Sequence, residues 1–183
     1  IKKYSSDIAT VAYRRVTDDG EISYDILAGE KSECWSNIDA LMLMLYQKII
    51  SISACSKMYA TELFKEIRFP KGKLYEDILT VPKLFLTAKK VSYECQPLLN
   101  YRVRKGSITT SAFKLKDIEM LENAVTVKNA VLKIGNPNID RAARSYIFSK
   151  ASTLLFLVEG SNYTEKRKIM TWCWKYIKMY RWQ

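Results

Sequence analysis

Polar and apolar positions alternate clearly near the start of the chain. Asp7-Ile8-Ala9-Thr10-Val11-Ala12-Tyr13 is an apolar run with β-branched residues, and Glu21-Ile22-Ser23-Tyr24-Asp25-Ile26 alternates with a period of two. The turn sequence Asp18-Asp19-Gly20 lies between them, which predicts an antiparallel hairpin with a turn longer than two residues. After a polar stretch over 28–33 the pattern becomes helical over 38–50, with Ser36 or Asn37 as its cap. Small and β-branched residues break it at 51–55, 58–67 reads as a short helix or turn, and Pro70 and Gly72 mark a loop. Apolar spacing over 78–90 predicts another helix. If Asp77 caps it, Pro82 falls one turn inside and removes a hydrogen bond. If Thr80 caps it, Pro82 falls in the first turn, where its missing N–H does no harm. The second placement leaves Glu76 and Asp77 in the approach, available for another role. Val91-Ser92-Tyr93-Glu94-Cys95 reads as a strand, 98–103 as a strand or extended segment, and Arg104-Lys105-Gly106-Ser107 as a basic loop. Helical patterns then cover 114–134, 139–158 and 163–181, separated at Gly135-Asn136-Pro137-Asn138 and Glu159-Gly160-Ser161-Asn162. The order predicts a mixed α/β part to about residue 110, followed by three helices.

Composition narrows the functional classes. The 183 residues are 48% hydrophobic, which argues against intrinsic disorder, and no apolar stretch approaches the roughly 18 residues of a membrane span. Thirty Lys and Arg against 19 Asp and Glu give a net charge of +11. There is no histidine, so His-dependent catalysis and His-containing metal sites are excluded. Cys34, Cys55, Cys95 and Cys173 include no C-x-x-C pair, which predicts reduced packing thiols of an intracellular protein. The chain opens Ile1-Lys2-Lys3-Tyr4-Ser5, without an initiator Met or an apolar signal core, which predicts part of a longer protein.

Three clusters carry candidate chemistry. Glu76-Asp77 stands between the Gly72 loop and an apolar helix. One carboxylate there either favours the helix N-terminus or acts as a general base toward a hydroxyl, a task left to Asp or Glu where histidine is absent. Arg102 and Arg104 fall on one face of an extended segment. Such a pair suits a diphosphate, or equally a solvated edge strand blunted by charge. In the last helix Lys166, Arg167, Lys168, Lys175, Lys178 and Arg181 are interleaved with Trp172, Trp174, Tyr176, Tyr180 and Trp182. Trp172, Tyr176 and Met179 are spaced as a core face. The cations and aromatics suit an anionic membrane surface and, after that, nucleic acid.

Taken in order, Ser56-Lys57-Met58-Tyr59, Glu62-Leu63-Phe64, Ile67-Arg68-Phe69-Pro70-Lys71-Gly72, Tyr75-Glu76-Asp77, Pro97-Leu98 and Tyr101-Arg102-Val103-Arg104-Lys105-Gly106-Ser107-Ile108 make a familiar string. It resembles the C-terminal half of bacterial family 2 glycosyltransferases of the capsular and exopolysaccharide type. The resemblance covers residues 5–110 approximately. It implies an α/β class (α+β in these residues) and a partial GT-A fold, a small mixed sheet with helices followed by a three-helix tail. Residues 1–112 would be the acceptor-side part, and 113–183 a helical extension. It implies inverting transfer from a nucleotide-sugar donor to a saccharide or lipid-linked acceptor, with Asp77 as catalytic base. The substrate-binding positions it maps are Glu76 beside the base, Lys57 and Tyr59 on the acceptor side, and Arg102, Arg104 and Ser107 in a segment closing over the donor diphosphate. Met58 stands where members carry Leu, and Cys55 where many carry Trp. The family's Asp-x-Asp, which holds Mg or Mn, ends a nucleotide-binding half that these residues do not include; Asp18-Asp19 is adjacent and misplaced for it. The resulting expectations are a cytoplasmic enzyme, peripheral to the inner face of the plasma membrane through 163–182, with no nucleic-acid partner. No metal ligands are expected within the chain, nor transfer by the 183 residues alone. A different class, a non-catalytic basic helical module on a membrane surface or nucleic acid, leaves the motifs from Lys57 to Ile108 unexplained.

Overall fold

The alternating runs form the expected hairpin. β1 (Ile8–Val16) pairs antiparallel with β2 (Ile22–Ile26), Tyr13 opposite Ile26 and Arg15 opposite Tyr24, and Gly20 takes a left-handed φ of 84° between them. The computed structural model describes residues 1–17, 19–26, 28–104 and 111–181. The chain divides into two compact units, Ile1–Arg68 with Thr80–Ser111, and Phe69–Leu79 with Ala112–Gln183.

The first unit is built on a mixed sheet in the order β2-β1-β5-β3. β5 (Lys90–Arg102) runs parallel to β1, and β3 (Glu33–Ser36) pairs antiparallel with β5. β4 (Lys57–Tyr59) lies against Ile8, Ala9 and Thr10, sharing one edge of β1 with β2. Alternation along β1 buries Ile8, Thr10 and Ala12, whereas Val91, Ser92 and Tyr93 are buried in succession, as in a strand covered on both faces. The buried hydroxyls of Ser6 and Ser92 satisfy each other at 2.8 Å. α1 (Asn37–Leu45) is capped as expected, Ser36 Oγ accepting the Asp39 N–H at 3.1 Å and donating to the Asp39 carboxylate at 2.6 Å.

Three local expectations are corrected. Residues 58–67 hold the expected short turn, a 3-10 turn over Thr61–Phe64, but begin with part of β4, because a strand of three residues is too short to show a period. Residues 90–102 form one strand; its register against β1 slips around Ala12, which pairs with Pro97, and this irregularity absorbs the proline. α2 (Glu76–Thr87) starts at Glu76, not after Thr80, so Pro82 lies inside the helix and withdraws a donor from the Ile78 carbonyl. Burial of Ile78, Val81, Leu84 and Phe85 offsets that loss.

The second unit contains a 3-10 turn over Leu115–Ile118, α3 (Glu119–Leu132), α4 (Pro137–Glu159) and α5 (Lys166–Tyr180). Gly135 takes a left-handed φ of 71° after α3. Asn136 then caps α4, its side-chain oxygen accepting the N–H groups of Asn138 and Ile139. α4 packs on both α3 and α5, burying Ile139, Ala143, Tyr146, Ala151, Leu154 and Val158 at spacings close to three and four. The core face of α5 differs from the expected one. Cys173 and Ile177 are buried while Met179 is 48% exposed, and burial pushes the Cys173 thiol up to about 11. Among the described residues no helix is long and apolar enough to cross a membrane.

Candidate active site

The acidic dipeptide is set by the turn that precedes it. Tyr75 has a left-handed backbone, φ 53°, which costs a non-glycine residue about 1–2 kcal/mol. Side chains from residues 114–123 hold that turn. Lys116 Nζ donates to the Gly72 carbonyl at 2.8 Å, and Glu119 Oε2 accepts the Leu74 N–H at 2.8 Å. Asn123 Nδ2 donates to two successive carbonyls, Leu74 at 3.2 Å and Tyr75 at 3.1 Å. The Tyr75 hydroxyl donates to Asp117 Oδ1 at 3.0 Å, while Asp117 Oδ2 accepts the Lys114 N–H at 2.7 Å. Burial, and then this bond to Asp117, push the Tyr75 phenol well above its usual range. Asp117 and Asn123 are themselves buried, which makes their hydrogen bonds costly to leave unmade.

Asp77 is the second residue of α2 and half-buried, and its Oδ1 accepts the Ile78 N–H at 2.8 Å. The amide end of a helix stabilises negative charge there. Two groups on α4 sense that charge. Tyr146 is wholly buried, and burial first, then the Asp77 charge, drive its phenol far above the usual range. Lys150 Nζ lies 4.9 Å from the centre of the Tyr146 ring; burial lowers its pKa and the Asp77 charge opposes that. The Asp77 charge thus reaches an ammonium and a phenol of α4 within the second unit. A carboxylate so held can accept a proton from an incoming hydroxyl.

The Tyr146 hydroxyl has no hydrogen-bond partner among the described residues. Tyr146→Phe is therefore expected to raise stability by about 1 kcal/mol, seen as a higher thermal unfolding midpoint. A lower midpoint would show that the hydroxyl is satisfied.

The remaining expected site residues lie as follows. Glu76 is the first residue of α2, half-buried, in the second unit with Asp77. Lys57, Tyr59, Arg102 and Arg104 belong to the first unit, and the sheet does not bring the two pairs together. Lys57 faces Thr10 on one edge of β1, whereas Arg102 pairs with Val16 on the other, six residues or roughly 20 Å further along. Lys57 Nζ donates to the Ser53 carbonyl at 2.6 Å, and the Tyr59 ring meets Phe64 edge-on at 5.6 Å. Arg102 and Arg104 are both exposed where β5 ends. Ser107 lies outside the described residues. Asp117, Asn123, Tyr146 and Lys150 carry no sequence signal linking them to Asp77, since they follow it by 40 residues or more.

No family model matches the chain. In sequence it is similar to Glycosyltransferase GlyA of Streptococcus pneumoniae serotype 4, 32% identical over 116 residues, which are 60% of this chain and 16% of that protein. It is also similar to Glycosyltransferase GlyG of the same organism, 36% identical over 59 residues, 32% of this chain and 20% of that one. The chain therefore spans a fifth or less of the curated relatives it matches. In structure it is similar to S. aureus TarS 1-349, crystallised in complex with UDP-GlcNAc, with a TM-score of 0.69 at 18% identity over 98% of this chain and 51% of that chain. That likeness establishes the fold: the mixed α/β class expected from the sequence is the architecture of about half of TarS 1-349.

Proposed function

We propose that the chain is the acceptor-side part of an inverting, family 2 glycosyltransferase of the GT-A type. It moves a sugar from a nucleotide-sugar donor to a saccharide or lipid-linked acceptor in cell-surface polysaccharide synthesis. The observation that carries this reading is Asp77, a carboxylate on the first turn of α2 that accepts the Ile78 N–H and whose charge is felt by Lys150, at the position the motif resemblance gives to the base. The names of GlyA and GlyG and the UDP-GlcNAc held by TarS support sugar-nucleotide chemistry.

In this reading Asp77 takes the proton of the acceptor hydroxyl as its oxygen bonds to the anomeric carbon. The bond from that carbon to the diphosphate breaks, and the nucleoside diphosphate leaves with the electron pair. Attack from the face opposite the leaving group inverts the configuration. Arg102, Arg104 and Ser107 serve the diphosphate, the two guanidinium forks through paired hydrogen bonds. Glu76, Lys57 and Tyr59 serve the acceptor. In this reading a divalent metal such as Mg or Mn would be held by the Asp-x-Asp of a nucleotide-binding half; among the described residues no three Cys, Asp or Glu side chains gather as a cation site. α5 has no acidic residue and exposes Arg167, Lys175 and Lys178 around a 46% exposed Trp174. That face suits a peripheral contact with anionic lipid on the cytoplasmic side.

The test is transfer of labelled sugar from a panel of nucleotide sugars. It compares the 183 residues alone with a polypeptide in which they are joined to a nucleotide-binding half. Transfer by the joined polypeptide and none by the 183 residues is the expected result. Metal-dependent transfer by the 183 residues refutes the partial character of the site, and no turnover of any sugar nucleotide by either refutes the reading.

A further inference from the structure

We propose that Tyr75, Asp117 and Asn123 are positioning residues for the Asp77 carboxylate, so that the segment from 114 to 123 is part of the catalytic machinery and not an appendage to it. This rests on the reading of Asp77 as the base.

The argument begins with how helices start in this chain. α1 and α4 each start on one local side chain, Ser36 and Asn136, within three residues of the amide it accepts. α3 and α5 start without a side-chain cap, and the Asp77 carboxylate accepts the Ile78 N–H in the first turn of α2. The turn preceding α2 is held by side chains 42 to 49 residues away in sequence. The two donors of one Asn123 amide nitrogen fix the carbonyls of Leu74 and Tyr75, and therefore the peptide planes on both sides of Tyr75. Asp117 fixes the far end of the Tyr75 side chain. Tyr75, a bulky residue with φ 53°, is thus over-determined by its surroundings, as strained residues beside reacting groups are. Asp77 follows two residues later, tied to Ile78 by its own carboxylate. Any rotation of the turn is carried directly into the direction of that carboxylate. A helix start alone does not require this set of contacts, as α3 and α5 show. Asn123 on two peptide planes, Glu119 on the one before them and Asp117 on the Tyr75 hydroxyl supply what a base needs in addition, a fixed approach to the hydroxyl.

The experiment is steady-state transfer by the active polypeptide containing this chain, with Asn123→Leu and Tyr75→Phe. Asn123→Leu keeps the size and removes both donors, and Tyr75→Phe removes one hydroxyl and leaves the backbone intact. Each is expected to lower kcat by about 10- to 100-fold, as a misplacement of ~1 Å does. KM for the donor should stay within about threefold of wild type, since donor binding does not use the turn. In the 183-residue chain the Ile78 amide should exchange faster in both variants, while α1 amides are unchanged. If Asn123→Leu fails to fold, Tyr75→Phe decides. Wild-type kcat in Tyr75→Phe with only a lowered unfolding midpoint overturns the proposal. Wild-type kcat in Asp77→Asn overturns the base reading itself and this inference with it. An inactive Asp77→Asn beside fully active Asn123 and Tyr75 variants overturns this inference alone.

Discussion

Asp77→Asn is expected to lower sugar transfer by about 10²- to 10⁴-fold in the active polypeptide while the protein stays folded. The amide matches the carboxylate in size and still offers an oxygen to the Ile78 N–H, which Asp77 Oδ1 accepts at 2.8 Å. The start of α2 therefore survives. Basicity is what the substitution removes, because an amide cannot take the proton leaving the acceptor hydroxyl. Losing the negative charge at the amide end of the helix costs ~0.3–1 kcal/mol of stability, and removing it from the half-buried Lys150 ammonium adds to that, a shift read in the urea midpoint. This variant separates the two roles open to a carboxylate at this position. If Asp77 only starts the helix, turnover stays near wild type and stability falls. If it is the base, turnover collapses and stability falls by the same amount. Nucleoside diphosphate release at saturating donor, read beside the urea midpoint, decides between them. Turnover within about threefold of wild type sinks the base role. Asp77→Glu is the companion, since it restores a carboxylate roughly one bond length out of place and should recover only part of the rate.

Elements with a local signal are legible in the sequence, and those set by distant partners are not. The hairpin follows from alternation around Asp19-Gly20, and α4 from Gly135, Asn136 and Pro137 followed by apolar residues three and four apart. Nothing in Lys57-Met58-Tyr59 marks a strand until β1 lies beside it. Gln96-Pro97 looks like a strand break, and only the slipped register against Ala12 shows how a single strand carries it. Thr80 is the better local cap for α2, yet the helix starts at Glu76 because side chains from 114–123 hold the turn before it. The candidate site divides in the same way. Glu76 and Asp77 are visible as adjacent acids in a chain without histidine. Their surroundings, Asp117, Asn123, Tyr146 and Lys150, are assembled by packing in the second unit, and no spacing in the sequence encodes that. Local spacing also cannot reveal that Lys57 and Arg102 flank opposite ends of β1.

Ala151→Asp unfolds the second unit at neutral pH and spares it in acid. Ala151 is fully buried on α4, the helix that packs on both α3 and α5. Its neighbours three and four positions along the helix are Ile147, Phe148, Leu154 and Leu155, so no cation on α4 is placed to pair with a new carboxylate. Holding an unpaired ion there costs several kcal/mol, against a total stability of about 5–15 kcal/mol for a domain. The side chain also adds volume where the packing has room for a methyl group. The sign of the pH effect follows from burial, which raises the folded-state pKa of the new Asp above its unfolded value of about 3.9. Below that unfolded value the group is neutral in both states, and only the smaller cost of a buried carboxylic acid remains. As pH rises toward the folded-state value the unfolded chain ionises first, and the deficit against wild type grows until both states are ionised. Urea midpoints of wild type, Ala151→Asp and Ala151→Asn from pH 3.5 to 8 test this. The Asp variant's gap to wild type should widen with pH, and the Asn variant's gap should stay constant. An Asp gap that does not change with pH would mean that water reaches position 151, and that the interface of α4 is not the sealed core on which the placement of Tyr146 and Lys150 depends.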